Sequence, residues 1–201
     1  MEGTVSAAAL THYVRYAESQ GVETRALLEQ SGLEALTFAE SGRRLPVAVF
    51  GALLQRLIDA AGDPLFGVRS ARHIQPGQYH VLEYMAMSCP TLGEVVERMP
   101  RYEPLVGDMG VTSVEPGGER VAVRWHCAFP EPELRRHLVD SVLVSWLGYV
   151  RWLTRREVVP VTVRLETDPR RNELAEAYRE AWDGDLELDA EDNALVVPRS
   201  L

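Results

Sequence analysis

Three side chains in one stretch of the sequence are of types that bind transition metals or act as nucleophiles. His126 and Cys127 are adjacent, and His137 lies eleven residues further on. Zinc sites need three or four converging ligands, commonly at short fixed spacings. His126 and Cys127 fall in a segment with strand-like alternation, so we expect their side chains to point to opposite faces of a sheet. The pattern favours an ordinary strand histidine and a buried thiol, and we expect no bound metal.

A hydrolase or transferase that uses Cys127 or His126 is a second interpretation of the same residues. It would need a base within hydrogen-bond reach of the nucleophile and an acid to orient that base, which the sequence leaves open. The chain contains no nucleophile elbow, phosphate-binding loop or dinucleotide-binding glycine pattern. We therefore expect a protein that is not an enzyme and that carries no cofactor.

A further polar group surrounds the turn Gln75-Pro76-Gly77. His73 and His80 flank this turn, and Glu83 follows His80 by three residues, so the two would share one face of a helix. The spacing is compatible with an acid–base pair or part of a metal site. It favours an exposed ion pair.

Aromatic side chains in three segments indicate a site for a small molecule. Apolar pockets lined by aromatic rings and a few polar groups are the usual small-molecule sites, and a buried Tyr hydroxyl or Trp N–H needs a hydrogen-bond partner. Plain core packing is the alternative for each residue. The predicted ligand-binding residues are Tyr79, His80, Glu83, Tyr84, Trp125, Trp146 and Tyr149.

Composition indicates a globular protein that binds nucleic acid poorly. The chain has 201 residues, of which 46% are hydrophobic and 25% charged, with a net charge of −9 and two cysteines. Affinity for DNA depends largely on clustered positive charge that neutralises phosphates, and this chain has an acidic excess. The start of the chain lacks the pattern of a signal peptide, and the most apolar segment, 138–153, is shorter than a membrane span. We expect a cytoplasmic protein without contact to the membrane.

The hydrophobic pattern predicts helices first and a mixed region afterwards. Helical spacing covers 5–19, a segment from Pro46 to Gly62, and a segment that begins at Thr91, where Glu94 completes a capping box. Alternation then predicts a hairpin over 111–127 and further short strands. The other predicted elements are a long buried helix over 134–155, a strand over 161–165, a helix over 172–182 and closing strands around 186–188 and 195–197. The prediction is an α+β fold, in which a helical N-terminal half precedes a small mixed or antiparallel sheet packed on a long buried helix, in a single domain over 1–201.

Three stretches of the sequence together form a pattern that is typical of one protein family. The first is 62–68 (GDPLFGV). The second is 84–94 (YMAMSCPTLGE), followed by Arg101-Tyr102. The third comprises 160–163 (PVTV), Asp168-Pro169, Tyr178 and 192–195 (DNAL). In order and spacing, these stretches resemble the N-terminal ligand-sensing domain, of the arabinose-binding and dimerisation type, of AraC/XylS transcription regulators. Together they cover about residues 20 to 201.

The resemblance implies a bacterial domain that senses a small-molecule effector and forms a homodimer. It also implies a C-terminal helix-turn-helix domain of roughly 100 residues beyond 201, absent from this chain, through which DNA would be bound. The helices at 91–99 and 172–182 are the expected dimer surfaces. Glu83 and Asp183-Gly184 depart from the residues that many relatives carry there, so the effector cannot be transferred from the family. A stand-alone small-molecule or cofactor-binding sensor or carrier is the alternative function.

Overall fold

The chain is mainly helical up to residue 106 and mixes strands with helices after it. The structure is a computed structural model that describes residues 2–33, 42–75, 77–79, 81–156, 161–182 and 184–200. Its helices are α1 (Thr11–Ser19), α2 (Thr24–Gln30), α3 (Val47–Ala61), α4 (Phe66–Ala71), α5 (Val81–Ser88), α6 (Leu92–Val106), α7 (Pro132–Thr154), α8 (Pro169–Glu173) and α9 (Ala175–Ala181). Its strands are β1 (Thr4–Ser6), β2 (Arg44–Pro46), β3 (Gly110–Gly117), β4 (Arg120–Cys127), β5 (Thr162–Glu166), β6 (Asp185–Ala190) and β7 (Ala194–Pro198). The predicted α+β fold is confirmed.

The predicted N-terminal helix over 5–19 is wrong at its start. Residues 4–6 form β1, which pairs antiparallel with β2 through Val5 and Leu45, and a 3₁₀ turn over Ala7–Leu10 leads into α1. Val5 and Leu45 are both buried, so pairing with a distant segment prevails over local helical spacing. The α3 helix begins after Pro46 and ends at Gly62, whose φ of 60° is the left-handed conformation that terminates many helices.

The N-cap half of the predicted capping box is confirmed at Thr91. The Thr91 side chain accepts a hydrogen bond from the Glu94 backbone N–H at 3.2 Å, and α6 begins at the next residue. The helix continues to Val106 through Pro100 and Pro104 and packs against α5. This helix pair forms one layer of the domain.

Within the described part of the chain, the large sheet has five strands in the order β3-β4-β7-β5-β6, of which only β5 and β6 are parallel neighbours. The predicted hairpin is the β3–β4 pair, in which Thr112 lies opposite Trp125. The α7 helix packs against β4 and β7 on one side and against α4 on another. Every residue from Arg136 to Ser141 is buried, whereas Trp152 is 45% exposed. The burial on several sides that the apolar pattern predicts therefore holds for the first half of this helix and not for its second half.

The predicted helix over 172–182 is instead two short helices. Asp168 caps α8 by accepting hydrogen bonds from the backbone N–H groups of Arg170 and Arg171. Leu174 leaves the helical conformation with φ −106° and ψ 17°, and α9 starts at Ala175.

No helix within the described ranges combines the length and apolar character that a bilayer crossing requires.

A buried polar cluster joins α7 to α8 and α9. The Asp140 carboxylate accepts hydrogen bonds from the Arg171 guanidinium at 2.9 Å and from the Tyr178 hydroxyl at 2.6 Å. Arg136 donates to the backbone oxygen of Pro64 at 2.9 Å and lies 3.4 Å from the Tyr178 hydroxyl. A buried charge is tolerated only when it is paired and hydrogen-bonded, so these residues hold the helices in a fixed relation.

Two buried histidines make the domain sensitive to acid. Burial, with repulsion from His73 and Arg15, lowers the pKa of His12 to about 3, and burial, with repulsion from Arg136 and Arg171, lowers the pKa of His137 to about 3. A group whose pKa is lower in the folded than in the unfolded state destabilises the fold as pH falls below the unfolded pKa, here 6.5. We expect denaturant titrations to show a loss of about 4 kcal/mol between pH 7 and pH 5, about 2 kcal/mol from each histidine.

Single replacements distinguish these histidines from other acid-sensitive groups. His12→Gln is expected to reduce the loss between pH 7 and pH 5 by about half. His126→Gln is the matched control, because His126 is exposed on β4. An unchanged pH profile in His12→Gln would contradict the assignment.

Candidate ligand-binding cavity

A cavity of about 150 Å³ lies between the α5–α6 pair, α7 and the face of the large sheet formed by β4 and β7. Most of its wall is apolar. Val123 and Trp125 line it together because side chains two apart on a strand share a face, and Leu195 and Val197 do the same on β7. The remaining apolar and aromatic lining comes from Tyr79, Leu82, Met85, Ala86, Leu92, Val95, Val96, Met99, Val106, Met109, Val142, Trp146, Tyr149, Val150 and Leu153.

Glu83 is one of two carboxylates that line the cavity among the residues that the structure describes. It lies in the first turn of α5, is buried, and accepts hydrogen bonds from the backbone N–H groups of Gly77 and Tyr79, the latter at 3.0 Å. The Tyr149 hydroxyl of α7 also donates to it, at 2.6 Å. Burial, together with this hydrogen bond, raises the pKa of Tyr149 well above its usual range, so the hydroxyl remains a donor. Glu83 therefore ties α5 and the preceding turn to α7.

Glu103 is the second carboxylate, and it is not among the ligand-binding residues predicted from the sequence. It accepts hydrogen bonds from the backbone N–H of Thr112 at 2.7 Å, from the Thr112 hydroxyl at 2.9 Å and from the Trp125 indole N–H at 2.9 Å. Burial raises the pKa of Glu103 despite these bonds. Glu103 lies in α6 between Pro100 and Pro104, and its donors lie on β3 and β4, so no local pattern marks it.

The structure places most of the predicted ligand-binding residues around this cavity. Tyr79, Glu83, Trp125, Trp146 and Tyr149 line it. Tyr84 does not, because it lies on the outer face of α5 with 69% of its surface exposed.

His80 lies outside the described residues. The exposed ion pair expected at Glu83 is wrong for that residue, since its carboxylate is buried and bound by backbone groups.

The residues considered for metal or nucleophilic chemistry lie elsewhere. His126 is exposed on β4, and its Nε2 lies 2.9 Å from the Ser113 hydroxyl. The neighbouring Cys127 is half-buried, and burial raises the pKa of its thiol to about 11, so it is protonated at neutral pH. In the part of the chain that the structure describes, no three His, Cys, Asp or Glu side chains are placed to share a metal ion.

Comparison with known proteins gives both a family and a fold. Residues 21–201 match the family model described as the arabinose-binding domain of AraC transcription regulator, N-terminal. Among solved structures, the chain is similar to transcriptional regulator CdpR from Pseudomonas aeruginosa, with a TM-score of 0.63 and 17% identity over 88% of this chain and 54% of that one. The chain thus spans about half the length of CdpR. A search of curated proteins gives no match. Because the family model covers most of the chain, this protein belongs to the family of N-terminal ligand-binding domains of AraC transcription regulators.

Proposed function

We propose that this domain binds a small-molecule effector in the cavity and thereby controls transcription without catalysing a reaction. The observation that supports the proposal is a largely apolar hollow with two carboxylates, inside a domain whose family is a ligand-binding one. Concave apolar sites with a few oriented polar groups are the usual form of small-molecule sites. DNA would be bound through a C-terminal helix-turn-helix domain, since this domain carries a net charge of −9.

The effector would act through a homodimer. Tyr84, Met87 and Trp152 are large apolar side chains with substantial exposure, and we call them the α5–α7 patch. Tyr84 and Met87 are three residues apart on α5, and Met87 and Trp152 line one groove. We propose that a second copy of the chain covers this patch, with residues that contact each other reciprocally about a two-fold axis.

The patch and the cavity share their supporting helices. The inner faces of α5 and α7 line the cavity, while their outer faces carry the α5–α7 patch. A ligand that favours one spacing of these helices would favour one geometry of the dimer, which is a shift between existing states. The α6 and α9 surfaces expected from the sequence expose charged side chains such as Glu97, Arg98, Glu176 and Arg179. We therefore centre the proposed interface on the α5–α7 patch.

A metabolite screen by thermal shift tests effector binding. A ligand that binds only the folded state raises its melting temperature by mass action. Val150→Phe puts a ring into the cavity, and Val111→Phe is its matched control on the exposed β3. We expect effector hits to stabilise the wild type and Val111→Phe but not Val150→Phe. The proposal fails if no metabolite stabilises the wild type, or if the hits stabilise Val150→Phe equally.

Sedimentation with and without a hit tests the dimer in the same series. We expect the wild type to sediment as a dimer whose dissociation constant changes when the hit is added. Trp152→Ser is expected to weaken the dimer at least tenfold, equivalent to about 1.4 kcal/mol. Val111→Ser, which removes an exposed apolar group elsewhere, is expected to leave it unchanged. A wild type that remains monomeric at high concentration would contradict dimerisation.

A further inference from the structure

Most polar side chains of the cavity wall already form hydrogen bonds within the protein. Glu83 and Glu103 each accept three hydrogen bonds from protein donors, and the Ser145 hydroxyl donates to the backbone oxygen of Val142 at 2.6 Å. A sugar would bring several hydroxyl groups into a space with few free partners for them. Burying an unpaired hydroxyl is unfavourable, so this wall does not suit arabinose.

We propose that the effector is a largely apolar molecule of about one aromatic ring that carries a positively charged hydrogen-bond donor and no negative charge. The inference rests on the proposed function and goes further by naming the ligand class. It separates this protein from the sugar that gives the family its description.

The size follows from the cavity volume. A dry apolar cavity of ~150 Å³ engineered in another protein binds benzene, and the cavity here has about the same volume, 150 Å³. The rings of Trp125, Trp146 and Tyr149 line this space and offer faces and edges on which another ring can pack. A single ring or a short aliphatic group therefore fits.

The charge preference follows from the two carboxylates. An ionised carboxylate has about four acceptor sites, and Glu83 and Glu103 each use three of them, which leaves an acceptor for a ligand donor. Within the described residues, Glu103 forms no salt bridge. An entering anion would lose its water beside like charges, whereas a cation would gain an attractive partner in surroundings of low polarity.

Three probes of contrasting chemistry test the inference on the full chain. Benzylamine and benzoate share a ring and differ in the sign of their charge. L-arabinose tests whether the cavity binds a sugar. Fluorescence of Trp125 and Trp146 would follow binding, with calorimetry as the second measurement. We expect benzylamine to bind at least tenfold more tightly than benzoate, and L-arabinose to show no saturable binding.

Variants assign the binding to the cavity and the preference to a carboxylate. Val150→Phe is expected to abolish benzylamine binding while Val111→Phe retains it, and the melting temperature of each variant shows that it is folded. Glu103→Gln is expected to reduce the preference for benzylamine over benzoate at least threefold. If this variant unfolds, the comparison of benzylamine, benzoate and L-arabinose in the wild type still tests the proposed ligand class.

The outcomes distinguish the ligand class from the proposed function. Cavity-dependent binding of L-arabinose, or of benzoate as tightly as benzylamine, would overturn the ligand class and leave a sensor of another effector. Failure of benzylamine to bind at millimolar concentration would also overturn the class. The proposed function fails separately, when no metabolite in the wider screen stabilises the wild type.

Discussion

Replacing Arg171 by alanine is expected to destabilise the domain by about 3 to 5 kcal/mol, because the change leaves a buried carboxylate without its charged partner. Asp140 is completely buried, and Arg171 is 2% exposed. The Arg171 guanidinium donates to Asp140 through Nη2 at 2.9 Å and Nε at 3.3 Å, and through Nη1 to the backbone oxygen of Glu166 at 3.2 Å. Alanine supplies none of these donors. Guanidinium denaturation followed by circular dichroism would measure the loss.

The preceding residue provides the matched control. Arg170 pairs with Glu173 at 2.6 Å on the same short helix, but 53% and 63% of these side chains are exposed. Ion pairs in water contribute little, so Arg170→Ala is expected to change stability by about 0.5 kcal/mol or less. Similar effects of the two alanine variants would contradict the role given to burial.

A double-variant cycle measures the coupling energy between Arg171 and Asp140. After Arg171→Ala, most of the cost comes from the unpaired charge on Asp140, so adding Asp140→Ala should cost far less than it does in the wild type. Residues in one hydrogen-bonded network are expected to show such coupling, on the order of 1 to 3 kcal/mol. Additive losses would show that the two side chains act independently.

The elements that the sequence predicted correctly are those defined by local signals. The cap at Thr91, the left-handed stop at Gly62 and the hairpin alternation up to Cys127 each depend on residues within a few positions of one another. The apolar character of α7 likewise predicts the burial of its first half, but not the exposure of Gly148 and Trp152 in its second half. The structure of such segments depends less on distant parts of the chain.

The β1 strand shows where that information ends. Val5 pairs with Leu45, forty residues away, and no residue pattern within the N-terminal segment predicts this strand pairing. The break at Leu174 has a similar origin, because α8 and α9 are each held by the buried Asp140, which lies more than thirty residues earlier in the chain. Tertiary contacts override local propensity at both places.

The cavity residues also differ in how well the sequence alone could predict them. Aromatic character singled out Trp125, Trp146 and Tyr149, since large rings from separate segments tend to meet in a core. It could not separate Tyr79, which lines the cavity, from Tyr84, which faces outward on α5. Glu103 was missed because its three donors come from strands that follow it in the chain. Burial of a carboxylate is a property of the packed fold.

Gly67→Ala is expected to destabilise the domain by about 3 kcal/mol or more, because α4 and α7 approach each other too closely for a methyl group. A Cβ at Gly67 would overlap the backbone oxygen of His137 and lie 2.8 Å from its Cα. These are backbone atoms of a buried helix and cannot turn aside as a flexible side chain would. The Gly67 N–H also donates to His137 Nδ1 at 3.1 Å, so separating the helices would break this bond. Denaturant titration would measure the loss.

Gly148→Ala makes the same chemical change on α7 and is expected to have the opposite effect. Gly148 is exposed, and a Cβ there would meet nothing within 4 Å. Alanine in a helix interior is favoured over glycine by roughly 0.5 to 1 kcal/mol, so this variant should be more stable than the wild type. Because α7 also forms a wall of the cavity, Gly67→Ala should weaken benzylamine binding while Gly148→Ala leaves it unchanged. A Gly67→Ala domain as stable as the wild type would show that α4 and α7 do not meet at this distance, and would remove the rigid contact that we expect to hold that wall in place.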